Sequence, residues 1–172
     1  MRGAPARDDR QQAMPPLEID WLAGRMHLAP TLAAWHYAEW GELLPGWTES
    51  AALEELRGHD SAGRVPTTLV ALVSGRPVGS VSLVAADHQS LLQLSPWLAS
   101  LYVAPAWRRL GIGAALVRRC VAEAATLGVG ELFLYTFGEA RFYQRLGWKV
   151  QFPVSLAGGR AIVMSIAPRA AT

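Results

Sequence analysis

Arg108-Arg109-Leu110-Gly111-Ile112-Gly113 sets two guanidinium groups and two glycines within six residues. The segment follows an apolar run bounded by Pro96 and Pro105 and precedes a stretch with helical spacing, so it reads as a turn from a buried strand into a helix. Glycine there lets the backbone approach a ligand and adopt conformations that a Cβ forbids. The first N–H groups of a helix have no intrahelical partner and point outward at its positive end, which suits phosphate oxygens. The chemistry on offer is therefore capture of an anion. A dinucleotide fingerprint would need a third glycine where Leu116 stands, and a P-loop would need Gly-Lys-Ser/Thr. Neither is present.

The elements that must position this turn follow from periodicity. Leu17 to Leu22 alternates as a first strand. Pro30 to Trp40 carries helical spacing, and a second helix runs to Arg57 with Thr48 as its N-cap. Thr67–Val73 and Val78–Val84, joined across Ser74-Gly75-Arg76-Pro77, form the strongest hairpin pattern. Asp87 to Pro96 reads as a loop, followed by the central strand Trp97 to Val103. After the turn, Ile112, Leu116, Cys120 and Ala124 at fourfold spacing mark the helix face that meets the sheet. Cys120 lies on that stripe as a small core residue, whereas Arg118 and Arg119 lie off it and are expected in solvent. Leu132 to Thr136 is a strand, Glu139 to Leu146 a short helix, and Val150–Leu156 with Ala161–Ile166 a last hairpin across Gly158-Gly159.

Two motifs in this order resemble the GCN5-related N-acetyltransferase (GNAT) superfamily. The first is Arg108-x-x-Gly111-x-Gly113; the second is Ala140-x-x-Tyr143-x-x-x-Gly147-Trp148 after a strand. The resemblance covers residues 67–166, and more weakly the first strand and two helices. It implies a single-domain α/β fold: a mixed, mostly antiparallel sheet of about six or seven strands with about four helices, splayed at the acetyl-CoA site. Residues 15–168 form that domain, and 1–14 read as a loose tail in which Met14 is an alternative start.

The resemblance also implies roles. Acetyl-CoA would rest its pyrophosphate on the N–H groups of Arg109, Leu110, Gly111, Ile112, Gly113 and Ala114, with Arg108 adding charge. Hydrogen bonds to a charged group contribute about 1.5–3 kcal/mol each. The pantetheine arm would lie along Leu101, Tyr102 and Val103 as if it were another strand. Tyr143 matches the family tyrosine that protonates the leaving thiolate; a core aromatic beside Phe142 is the plainer alternative. Many members carry an Asn three residues before the helix alanine, where this chain has Phe137, so that contact is not carried over. The central strand also lacks the Glu that some members use as a base. Ser100, Glu139, His88 and Asp87 are weak substitutes, and water would suffice for an α-amine.

From Thr31 to Leu56 there are five glutamates (Glu39, Glu42, Glu49, Glu54, Glu55) and no lysine or arginine, with Trp35, Trp40 and Trp47 among them. They form either two ordinary amphipathic helices or an acidic, aromatic wall for a cationic acceptor. Trp97 is open in the same way, as an acceptor wall or a packed strand residue. The expected function is acetyl transfer from acetyl-CoA to a primary amine of a small molecule or peptide, with a lean toward a cationic small molecule. The alternative is a non-catalytic acyl-CoA-binding regulator on the same fold. No metal is expected, and a homodimer is compatible with the sequence.

The bulk composition bounds these readings. Half of the 172 residues are hydrophobic and 17% are charged, as in a folded domain. A formal net charge of +2 gives little reason to expect a nucleic-acid partner, although 15 of the 16 basic residues are arginine. Cys120 is the only cysteine, which excludes an internal disulfide. No apolar run reaches the roughly 18 residues of a membrane span, and the first residues lack the apolar core of a secretory signal. The cytoplasm is the expected compartment.

Overall fold

The computed structural model describes residues 14–169. The anticipated tail therefore lies, save for Met14, outside the described residues. The chain runs β1 (Leu17–Trp21), α1 (Ala29–Trp40), α2 (Glu49–Arg57), β2 (Thr67–Val73), β3 (Arg76–Val84), β4 (Trp97–Val103), α3 (Ile112–Thr126), β5 (Leu132–Thr136), α4 (Ala140–Arg145), β6 (Lys149–Leu156) and β7 (Gly159–Ile166). One seven-stranded sheet has the order β1-β2-β3-β4-β5-β7-β6. Every neighbour pair is antiparallel except β4 and β5, which α3 connects as a parallel crossover. The expected α/β fold is the observed one, with four α-helices among the described residues. None of the described helices is long and apolar enough to cross a membrane.

Both faces of the sheet are covered, which is why all seven residues of β2 are buried. On one face Leu69, Ala71, Val81 and Leu83 meet the stripe Ile112, Leu116, Cys120 and Ala124 of α3. On the other, Val70 and Leu72 meet Leu32 and Ala33 of α1 and Ala52 and Leu56 of α2. Thr48 caps α2, accepting from the Ala51 N–H at 3.1 Å. The β2–β3 turn is tighter than expected: Ser74 and Gly75 alone make it, at φ 50° and 75°. β3 therefore begins at Arg76, not Val78.

Arg119 departs from the sequence expectation. It is not left to solvent but ties α3 to β1. Its Nε donates to Glu123 Oε1 at 2.6 Å, its Nη1 to the Ile19 carbonyl at 3.1 Å, and its guanidinium lies 5.8 Å from the Trp21 ring centroid. Trp97 is also settled. It is fully buried, its Nε1 donates to the Leu94 carbonyl at 2.7 Å, and it packs against Phe133 and Tyr135. It is a core residue and offers no acceptor wall.

Candidate active site

β4 and β5 pair only at their start, where Trp97 lies opposite Phe133 and the Phe133 N–H donates to the Pro96 carbonyl at 3.0 Å. Beyond that pair the two strands diverge. β4 is also bulged against β3: Ser80 pairs with Tyr102 and Ser82 with Ala99, so Val81 stands opposite both Ser100 and Leu101. Ser100 has φ 53°, a left-handed conformation uncommon for a residue with a Cβ. A bulge beside a splay frees strand backbone groups for something other than a neighbouring strand.

A cleft of about 1180 Å³ opens over this gap. Ala99, Ser100 and Leu101 of β4 and Leu134 to Thr136 of β5, with Phe137 just after it, form its floor, and Tyr143 of α4 reaches it. α1 and α2 make one wall, the loop after β3 another, and the β6–β7 turn a third. Five carboxylates line it (Glu39, Glu54, Glu55, Asp87 and Glu139), with no lysine or arginine among the described lining residues. Of the five glutamates expected as an acidic wall, Glu42 and Glu49 are not in the lining. Trp40 and Trp47 are, whereas Trp35 stacks on Tyr102 at 5.3 Å. Trp47 Nε1 donates to Glu55 Oε1 at 2.8 Å, fixing that carboxylate on the wall.

Burial tunes the titratable groups here. Tyr143 is 8% exposed, and burial together with nearby Glu139 pushes its phenol up to about 12, so it stays protonated and able to donate. Burial and the neighbouring Glu55 push Asp87 up to about 7. His36 on α1 is buried against the sheet with Nε2 3.1 Å from Ser80 Oγ. Burial, with His59 nearby, lowers His36 to about 4 and keeps it neutral.

The anion turn lies beyond the cleft lining, at the far end of β4. Arg109 (φ 64°) and Gly111 (φ 81°) are both left-handed, and no side chain caps α3 after Gly111. A Cβ at Gly111 would meet nothing within 4 Å, so the glycine is required by its φ and not by crowding. The leading N–H groups of a fifteen-residue helix are thus presented outward. Arg108 is less free than expected. Its Nε donates to the Val103 carbonyl at 2.8 Å and its guanidinium lies 5.6 Å from the Tyr102 ring centroid, which braces the turn against β4.

A sequence model described as an acetyltransferase (GNAT) domain matches residues 65–150, half of the chain. The chain belongs to the GNAT acetyltransferase family. Solved structures share its fold. One is an aminoglycoside 6'-N-acetyltransferase complexed with coenzyme A, 18% identical over 90% of this chain and 99% of that one, with a TM-score of 0.70. Another is an aminoglycoside 6'-acetyltransferase type Ii, at 19% identity, 90% and 99% coverage and TM-score 0.68. A GNAT acetyltransferase from Staphylococcus aureus Mu50 is 14% identical over 90% and 100%, with TM-score 0.66. No curated protein matches the sequence.

Within this GNAT domain, the candidate bases Ser100, Glu139, His88 and Asp87 all face the same cleft as Tyr143. The turn residues 108–114 and the strand residues Tyr102 and Val103 stand apart from it. Phe137, in the place of the family Asn, has its ring over Gly158, where a Cβ would come within 2.8 Å of it. Three further polar residues, His59, Thr68 and Ser82, lie between α2 and the sheet beside the cleft. Nothing in the local sequence marks them: Thr68 and Ser82 alternate like ordinary strand residues, and His59 follows a helix stop.

Proposed function

We propose that this GNAT domain transfers the acetyl group of acetyl-CoA to a primary amine by direct attack in a ternary complex, with a cationic small molecule as the favoured acceptor. The observation that carries the reading is the single opening onto which the splay, the Ser100–Leu101 bulge and Tyr143 converge.

The residues present fit the cofactor. Left-handed Arg109 and Gly111, followed by an uncapped helix, leave N–H groups from Arg109 to Ala114 to hold a diphosphate. Leu101 to Val103 would bind the pantetheine arm through strand backbone. When bound, acetyl-CoA supplies an activated acyl carbonyl and a thiol leaving group. The chain's own task is then placement and proton handling. Holding amine and carbonyl in line is worth about 7–11 kcal/mol. A backbone N–H at the bulge donates to the carbonyl oxygen as it gains charge. Tyr143 holds a proton at its hydroxyl for the departing sulfur.

The preference for a cationic acceptor rests on the five carboxylates of the lining. An ammonium-bearing molecule entering there meets carboxylates and no lysine or arginine of the described lining, with Arg108 reaching only Glu39 from outside it at 4.0 Å and Trp40 and Trp47 for contact. The two similar structures named for aminoglycosides acetylate cations by that name, which supports the same class here.

The test is thiol release from acetyl-CoA across a panel of cationic, neutral and acidic amines. Release with cationic amines is expected. Release with neutral or acidic amines alone would reject the acceptor class. Coenzyme A binding with no release for any amine would favour an acyl-CoA-binding regulator instead.

A further inference from the structure

We propose that Ser82, Thr68 and His59 form a proton relay that deprotonates the acceptor ammonium at the cleft floor and delivers its proton to the rim. The proposal rests on the acetyltransferase reading above.

The relay follows from the sheet register. Thr68 on β2 lies directly opposite Ser82 on β3, and Ser82 lies opposite Ala99 on β4, next to the Ser100–Leu101 bulge. Both hydroxyls turn toward the α2 side and meet: Thr68 Oγ1 and Ser82 Oγ are 2.8 Å apart. His59, in the coil just after α2, closes the chain with Nδ1 2.7 Å from Thr68 Oγ1. Thr68 is fully buried and Ser82 is 3% exposed, yet Ser82 and the half-buried His59 both line the cleft. The chain is sealed in its middle and open at its two ends.

The step balances without a co-reactant. The ammonium N–H bond breaks, leaving the electron pair on nitrogen, and the proton goes to Ser82 Oγ. Ser82 passes its own proton to Thr68 Oγ1, and Thr68 passes its proton to His59 Nδ1. The imidazolium loses a proton to water at the rim, and tautomer exchange there restores the bare Nδ1. Burial lowers the proton affinity of His59, so it rests neutral with a ring nitrogen to accept and gives the proton up readily to water. His36 on α1, held neutral, is the titratable group that interacts with it, and Glu39, Glu54, Glu55, Asp87, His88 and Glu139 share the cleft lining.

Two measurements on the full-length protein test this. The first is ¹⁵N-histidine NMR, with His59 assigned through His59→Gln. Neutral His59 should carry its proton on Nε2 with Nδ1 bare, and its midpoint should lie below the ordinary 6.5. A neutral form protonated on Nδ1 overturns the relay whether or not any amine is acetylated. The second is thiol release with neamine, spermidine and tyramine as probe amines. Ser82→Ala and Thr68→Val should lower turnover about 10²-fold near pH 7, with the loss shrinking as the pH approaches the amine's own pKa. Thr68→Ser, which keeps the hydroxyl, should restore most of it. Equal losses in Thr68→Val and Thr68→Ser, or a loss independent of pH, mark a packing role and overturn the relay. If wild-type protein acetylates none of the probes, the acetyltransferase reading is what fails, and the His59 tautomer still decides the hydrogen-bonded chain.

Discussion

Tyr143 and Cys120 show how one physical term, burial, prepares two side chains for opposite fates. Tyr143 keeps its hydroxyl at the cleft while burial holds it neutral, pushed up to about 12. Tyr143→Phe keeps the ring packed against Phe142 and Trp148 and removes only the proton donor. Steady-state kinetics should show turnover falling by about 10²–10⁴ with coenzyme A affinity little changed; unaltered turnover removes Tyr143 from the chemistry. Cys120 is buried against the sheet and also pushed up to about 12. It should resist alkylation in the folded protein and react only on unfolding. Asp87 makes a pH prediction. Its folded pKa, about 7, stands above the ordinary 3.8, so the folded state binds the proton more tightly. That contribution is full below 3.8, declines as the pH rises, and is gone above about 7. Asp87→Asn should therefore flatten the decline in stability across this window, seen as a Tm gain over wild type at pH 8 that is absent at pH 4.

At the scale of elements, α3 has two duties: its N-terminus presents the anion site and its apolar stripe anchors the sheet. Leu116 is fully buried on that stripe. Leu116→Ala should cost about 2–5 kcal/mol in denaturant unfolding; a smaller loss would mean that the α3–sheet contact does not hold the fold. Most of this level was readable in the sequence, because periodicity reports burial directly. The fourfold stripe of α3 and the two motif turns stand where their spacing puts them, as do the paired strands of Thr67–Val84, whose turn is two residues shorter than the pattern suggests. What the sequence could not display depends on partners far along the chain. Arg119 lies off the stripe and looked solvated, but β1 brings the Ile19 carbonyl and Trp21 to it. Trp97 is apolar enough for either a wall or a core, and only the loop carbonyl of Leu94 decides between them. His59, Thr68 and Ser82 meet through strand register, which no local pattern encodes.

Over the whole molecule, charge is sorted and not uniform. A chain of formal net charge +2 lines its cleft with five carboxylates, while Arg108 and Arg109 flank the anion turn after β4, where Arg108 meets Glu39 of the cleft wall at 4.0 Å. The division suits two partners of opposite sign, a diphosphate and an ammonium. Glu54→Gln with Glu55→Gln should raise KM for a cationic amine and weaken its dependence on salt, leaving a neutral amine unaffected; equal effects on both amines would show that the wall does not read charge. Every role given to a side chain of the cleft depends on where the diphosphate sits. A crystal structure with coenzyme A tests that most directly. The account predicts phosphate oxygens within hydrogen-bond distance of the main-chain nitrogens between Arg109 and Ala114, with the thiol directed into the gap between β4 and β5 toward Tyr143. Coenzyme A bound elsewhere, or not bound at all, would contradict it.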